Sequence, residues 1–426
     1  MSFRKFLAYI LKPISRFLGV DALYLARGGF WLGIGNVVGI GIAFILSIAY
    51  ARYISPEVYG NYRYVLSVIG IAGVCALPGM GVAITRSVAR GFHGTFKKVG
   101  RIIFLSSFGM TVISIIIACF FQITGRDDLF WGFLIAGLLV PFVEGLGNWR
   151  GYFDGTKEFQ KKTLINITIK ITYGILMLIA IWAIYSAHFS NTVSLSVLLG
   201  IYFLTNALAN IIMYRRVIRL TSSHTSEEPS AIRYGFHMAA SSIPTTVATY
   251  IDGILLYHFL GASSLALYSF TIAPLDAIKA VLTTMVTVSF PKISEQTKDT
   301  ATNTALKKTL PSKIFKASIL TTGIIIAYII CAPIIYNIFF PRYISAALFS
   351  QVFALSLILH PFSLFNTAID AEGNTKKIYT YKILTSLTQI LALLILIPPF
   401  GLWGAVYGRI IGRYINYILP FYFFKK

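Results

Sequence analysis

Arg409 and Arg413 stand four residues apart in an otherwise apolar stretch, 402–424, and Asn416 continues the same helical stripe. Two guanidiniums at that spacing could grip an oxyanion bidentately, or an acid from a neighbouring helix could neutralise them. Asp276 and Lys279, three residues apart within 265–290, could pair on their own helix surface, or Lys279 could face a substrate. Ser241, Thr245, Thr249 and Asp252 share one face of 235–260. Asp252 there could bind a coupling cation or proton, or form a structural ion pair with Arg409. Glu144 and Lys170 sit shallower and could pair with each other, and Lys170 could snorkel. Arg86 and Arg90 close the stretch 62–85, as anchors or as a capture point for an anionic group. Charged groups inside apolar stretches cost about 2.5–3.5 kcal/mol each if they lie at membrane depth, which makes them functional candidates. No residues are spaced as metal ligands or as a nucleophile with its base, so no catalytic, metal or cofactor site is expected. Cys75, Cys119 and Cys331 all lie in apolar runs.

The elements that must position these residues follow from the composition. The 426 residues are 56% hydrophobic and only 12% charged, where a soluble domain carries roughly 25% charged residues. Apolar runs of about 20 residues point to an all-α polytopic membrane protein. Twelve spans are expected, near 28–50, 62–85, 100–122, 129–149, 163–185, 194–214, 235–260, 265–290, 316–340, 346–369, 379–398 and 402–424. With the N-terminus inside, 29 of the 37 Lys and Arg fall in inner segments. Only Arg52, Arg63, Arg126 and Arg342 fall in outer ones, so both termini are expected to be cytoplasmic. The net charge of +22 is therefore topology and attraction to anionic lipid, and nucleic acid is not an expected partner.

Residues 1–27 read as an amphipathic helix on the inner membrane surface, with no cleavable signal expected. Leu306, Leu310 and Ile314, beside Lys307, Lys308 and Lys313, suggest a second such helix in 291–315. Pro56 starts a helix with Glu57 in its first turn, and Pro78-Gly79 breaks it. Glycines 29, 33, 35, 39 and 41 suggest close packing or bending in the first span. The linker 215–234 lies at mid-chain. ARYISPEVYGNY after the first span pairs with YHFLGASSLALY after the seventh, a sign of internal repetition. Two parallel six-helix lobes, 28–214 and 235–426, around a central cavity are expected, an architecture for alternating access.

The motif R-Y-I-S-P-E-x-Y-G-x-Y at 52–62, followed by G-x-G-x-A-I-T-R-S-V-A-R at 79–90, carries a resemblance to a known family. So do F-L-G-x-x-S-L-A-L-Y-S at 259–269, S-F-P-K-I-S at 289–294, A-E-G-N-T-K at 371–376 and P-P-F-G-L-W-G-A-V at 398–406. Together they resemble the polysaccharide-flippase (Wzx-type) branch of the multidrug/oligosaccharidyl-lipid/polysaccharide exporter superfamily. The resemblance implies transfer of an undecaprenyl-diphosphate-linked oligosaccharide from the inner to the outer leaflet of the cell inner membrane. It also implies a monomer that is not an enzyme, working beside a polymerase and glycosyltransferases. On that basis Arg409, Arg413, Lys279, Arg86, Arg90 and Lys170 are candidates for substrate binding, and Asp252, Glu144 and Asp276 for ion coupling. A drug or metabolite exporter of the same superfamily is the nearest alternative. A membrane glycan polymerase or ligase is a further one, though no large outer loop is present to assemble its catalytic groups.

Overall fold

The computed structural model describes residues 30–222, 226–296, 300–372 and 375–425. The surface helix expected at 1–27 lies outside them. Among the described residues there are helices and no strand. Among the described residues nine helices are long and apolar enough to cross a membrane, or ten if the bent pair Pro56–Ala76 and Met80–Ala89 is one span. Two elements, Ala231–Gln296 and Thr375–Lys425, each join two helices across a kink. The joints are Gly261 (φ 81°) and Gly401 (φ 56°), both in a region that glycine enters without steric penalty.

The polarity of the helices is inside out. In Thr95–Ile123, Ser107 and Ser114 are fully buried while Ile116 and Ile123 are exposed. Thr111 and Ser114 donate to the carbonyls of Gly137 and Phe133 on the neighbouring helix Asp127–Val140, at 2.7 Å each. Small hydroxyl residues joining helices while isoleucines face outward is the pattern of helices solvated by lipid. Ile326, Ile330, Ile334 and Ile338 form another such outward stripe. The chain is a multi-pass membrane protein.

Local chemistry explains the broken span. Ser55 caps it by accepting from Val58 N–H at 3.3 Å, Pro56 occupies the first turn, and Glu57 complements the positive end. After Ala72 the chain tightens into a 3₁₀ turn, Gly73–Ala76, and Leu77 turns left-handed (φ 51°). Pro78 lacks an N–H to continue the ladder. Helix resumes at Met80, with its axis turned by 50°.

The chain forms two compact units. One is Ile45–Ser269; the other combines the described residues up to Phe44 with those from Phe270 onward. This is a different division from the lobes 28–214 and 235–426. Within the larger unit, the helix after Ala231 lies close along the broken span. A side chain on Gly60 would strike the Ala262 backbone, one on Gly79 the Met238–Ala239 backbone, and one on Gly253 Ser67. Close packing thus falls on these glycines. Gly33 and Gly41 in the first helix have open space at their Cβ positions, so close packing, one of the two readings offered for the glycines of this span, does not act at these two. In the second unit, Thr300–Phe339 is one 40-residue helix. Leu310 and Ile314 are buried against Phe365, Ala368, Ile369, Tyr381 and Phe424. Two apolar positions of the segment expected to lie on the membrane surface, Leu310 and Ile314, thus belong to a protein core, and residues 300–309 run in the same helix ahead of the apolar stretch Leu310–Phe339.

Candidate functional site

A cavity of about 520 Å³ opens inside the larger unit. Its wall draws on the broken span (Arg63, Ser67, Gly70, Gly73 and Pro78), on Glu144, on Tyr202, and on Ser242, Thr245, Thr246, Thr249 and Tyr250. Arg63 lies two turns past the Pro56 start, so Arg63, Ser67 and Gly70 recur on one helical face. Its Nε donates to Ser269 Oγ at 3.2 Å. Glu144 comes from a π-helical turn, Pro141–Gly145, where a widened backbone often marks functional positions. Thr249 donates to Thr245 O at 2.8 Å, and Thr246 to Ser242 O at 3.0 Å. Their oxygens keep acceptor capacity. The result is a polar chamber with one guanidinium, one carboxylate, four hydroxyl side chains from a single helix, and two tyrosines. It can hydrogen-bond a hydroxyl-rich, charged group.

A polar cluster ties three helices of the same unit beyond Arg63. Arg126 Nη2 donates to Tyr257 Oη at 3.0 Å, Tyr257 Oη to Asn61 Oδ1 at 2.9 Å, and Asn61 Nδ2 to Asp128. The Tyr64 and Tyr257 rings stack at 3.8 Å. Asp252 is buried nearby on the helix after Ala231, and accepts from Tyr268 Oη at 2.8 Å and from Gly253 N–H at 2.9 Å. Lys170 is exposed, within electrostatic reach of Arg150. Arg150 bonds Asn166 Oδ1 at 3.1 Å and packs over the Trp149 ring.

The second unit gathers its own cations. Arg413 is 8% exposed; its Nη1 donates to Ser356 Oγ at 2.8 Å, its Nη2 lies 3.7 Å from Asp276 Oδ1, and its guanidinium covers the Phe353 ring. Lys279 sits within electrostatic reach of Arg413, Asp276 and Arg409. His360 Nε2 is 3.2 Å from Thr283 Oγ1. The structure thus brings Asp276 to Arg413, where the sequence offered Lys279 as its partner. We expect Arg413→Ala to lower stability by about 3 kcal/mol, the low end for breaking a buried pair, since Asp276 is half exposed. Arg413→Lys should recover less than half of that, because an ammonium cannot fork between Ser356 and Asp276 while lying flat on Phe353. Thermal midpoints in detergent would measure both.

Arg86 and Arg90 meet at Glu228, a residue that the sequence reading passed over. Arg90 Nη1 donates to Glu228 Oε1 at 2.9 Å, Arg86 Nη2 lies 3.8 Å away, and Ser87 Oγ donates to Oε2 at 2.6 Å. The Ser87 hydroxyl first, then Arg86, Arg90 and Ser230, hold the Glu228 carboxyl below the usual carboxylate range, against the opposing effect of burial. A depressed folded value stabilises the fold at pH above the unfolded carboxyl's ~4.3. That contribution disappears as pH falls through the lower folded value. Thermal midpoints measured from neutral to acid pH should therefore converge for wild type and Glu228→Gln as the wild-type carboxyl protonates.

Arg63 and Glu228 are the two residues that sequence reasoning missed. Arg63 was counted with the outer segment, although its i, i+4, i+7 stripe with Ser67 and Gly70 was a readable signal. Glu228 carried no signal in a polar linker.

Comparison with known proteins supplies a second line. The family described as polysaccharide biosynthesis protein matches residues 25–297. A Shigella flexneri protein named as a candidate O-antigen transporter is 24% identical over 328 residues, 70% of this chain and 71% of that protein. An uncharacterised membrane protein of Methanocaldococcus jannaschii is 23% identical over 94% of this chain and 84% of its own. Among solved structures, the lipid II flippase MurJ in an inward closed conformation matches with a TM-score of 0.69 at 15% identity. The match covers 92% of this chain and 87% of that one. An inward-facing multidrug resistance MATE family transporter of the MOP superfamily matches with a TM-score of 0.58 at 14% identity, over 92% and 97%. These two likenesses show a shared fold.

Proposed function

Because the chain belongs to the polysaccharide biosynthesis protein family, we propose that it flips an undecaprenyl-diphosphate-linked oligosaccharide from the inner to the outer leaflet of the cell inner membrane. The observation that carries this reading is the polar cavity around Arg63. A diphosphate needs a cation, and a sugar needs donors and acceptors in place of water; the chamber offers both. Its volume is in the range of about 300–1,000 Å³ typical of sites for compact ligands, so it would take a headgroup while the polyprenyl tail stays in the bilayer.

In this proposal the elements kinked at Gly261 and Gly401 each count as two spans, giving twelve with the broken span, and both termini are cytoplasmic. Two six-span lobes, 28–214 and 235–426, alternate the access of the path. Arg409, Arg413 and Lys279 form a second cationic station, Lys170 guides the headgroup from the inner side, and Arg86 and Arg90 stand at the inner end of the broken span. Asp252, with Glu144 and Asp276 as further candidates, couples the cycle to an ion gradient. On this account Asp252→Asn should lose the acceleration by an imposed proton or sodium gradient. Gradient-free exchange should fall less than about threefold, because Asn can still accept from Tyr268 and Gly253. Initial rates with and without the gradient measure the split. The protein works as a monomer beside the pathway's polymerase and glycosyltransferases.

Glu144 in the same cavity favours a second reading, export of a cationic drug or metabolite. Competition separates the two. Tightening of intrinsic tyrosine or tryptophan fluorescence titrations by a soluble prenyl-diphosphate oligosaccharide analogue, with none by cationic dyes, supports the flippase. The reverse order of affinity supports the exporter.

A further inference from the structure

Glu228 sits where an anion from outside would bind. It is 8% exposed, and four donor groups converge on its carboxylate: Ser87 Oγ at 2.6 Å, Arg90 Nη1 at 2.9 Å, Ser230 Oγ at 3.3 Å and Arg86 Nη2 at 3.8 Å. The frame beneath is built from backbone. Glu228 N–H donates to Thr95 Oγ1 at 2.9 Å, and Gly94 N–H donates to Ser226 O at 3.0 Å. Arg86 is steadied over the Tyr234 ring. Two forked guanidiniums beside hydroxyl donors make the set that recognises a phosphate group.

Three features argue that the carboxylate is a displaceable occupant. The arginines remain open on their far side, with side-chain exposures of 35% and 52%. The local charge is not balanced by the linker among the described residues: Arg86 and Arg90 share Glu228, Lys98 pairs with Glu227, and Lys97 reaches only the Ser222 carbonyl, at 3.5 Å. Finally, the linker residues 226–230 rest on this surface largely through polar contacts, and the neighbouring Lys98–Glu227 pair is open to solvent, where such a pair holds at only about 0.2–1 kcal/mol. A phosphate group, with one charge and two free oxygens as a diester and up to two charges and three free oxygens as a monoester, competes with a single carboxylate for such a donor set.

We propose that Arg86, Ser87 and Arg90 form a phosphate-binding site at the end of the broken span, and that Glu228 is its built-in competitor. An arriving phosphate group displaces Glu228 and lifts residues 226–230 from the segment at 91–95. The half-helix Met80–Ala89 loses that strap. This half-helix is jointed at Leu77-Pro78-Gly79, and Pro78 lines the cavity. Occupancy of the site is thereby transmitted to the cavity wall. The ligand is a phosphate carried by a lipid headgroup or by a soluble molecule. The inference stands apart from the flippase reading, because its readouts are binding and distance and not transport.

The test uses the full-length chain in phosphatidylcholine nanodiscs, with Cys75, Cys119 and Cys331 replaced by Ser and spin labels at Lys97→Cys and Ser226→Cys. Pyrophosphate is titrated in one arm; phosphatidylglycerol is added to the disc in the other. Sodium chloride at matched ionic strength controls for screening. The expected result is a longer distance between labels in at least one arm. Pyrophosphate alone identifies a soluble ligand, and phosphatidylglycerol alone a lipid headgroup. Glu228→Gln should bind the effective probe about tenfold more tightly, and Arg90→Ala should lose the response. An unchanged distance in both arms, or an equal change with chloride, overturns the proposal and leaves Glu228 a structural staple. If Glu228→Gln does not fold, the titration of the chain with native Glu228 decides alone.

Discussion

Arg63→Glu is expected to abolish translocation while leaving the protein folded. The substitution places two carboxylates in a chamber that now pairs one cation with one anion. An entering diphosphate would meet repulsion from both. Losing a desolvated charge contact costs about 2–5 kcal/mol, so the rate should fall by about thirtyfold or more. Folding is expected to survive, because Arg63 lines an open cavity and its bond from Nε to Ser269 Oγ is worth about 1 kcal/mol. Arg63→Lys keeps the charge but not the fork and should fall between the two. Initial flipping rates, measured beside thermal midpoints, separate lost binding from lost structure.

The second large effect is structural. Gly60→Leu should destabilise the protein by about 3 kcal/mol or more, because the new side chain has no rotamer that escapes the Ala262 backbone. Unlike a flexible side chain, that backbone cannot step aside; the start of the broken span and the Gly261 kink would have to part. Gly200→Ala is the matched control. Gly200 lies inside the helix Asn191–Leu220 with open space at its Cβ position. Ala there should be neutral or add up to about 1 kcal/mol of helix stability. Equal losses in the two variants would contradict the packing described for Gly60.

The sequence carried some of this and concealed the rest, for physical reasons. The helical start at Ser55-Pro56-Glu57 and the break at Pro78-Gly79 were readable because caps and prolines act locally. The short connections near Gly261 and Pro398–Gly401 were read as loops, and are single left-handed glycines between helices that nearly touch. The family resemblance was also legible, since its motifs sit at the span ends where backbone geometry is special. What the helical faces concealed was direction. In a membrane helix, hydroxyls, glycines and apolar side chains all pack against neighbours, so periodicity cannot separate a cavity face from a packing face. Arg63 was therefore counted with the outer-side charges, although it lies two turns into a helix and lines the cavity. Asp276 was paired with Lys279 by sequence distance, but Arg413, distant in sequence, approaches it in the fold. Glu228 escaped notice because its burial depends entirely on where the linker rests.

The central claim is that the chain moves a lipid-linked glycan between leaflets through the Arg63 chamber. The most direct test reconstitutes the protein in proteoliposomes with a fluorescent undecaprenyl-diphosphate oligosaccharide on one face and follows its exposure on the other. The account predicts headgroup transfer with wild-type protein, little with Arg63→Glu, and none in protein-free liposomes. Absence of transfer with every glycan tried, together with gradient-driven efflux of small cationic dyes from the same vesicles, would contradict it.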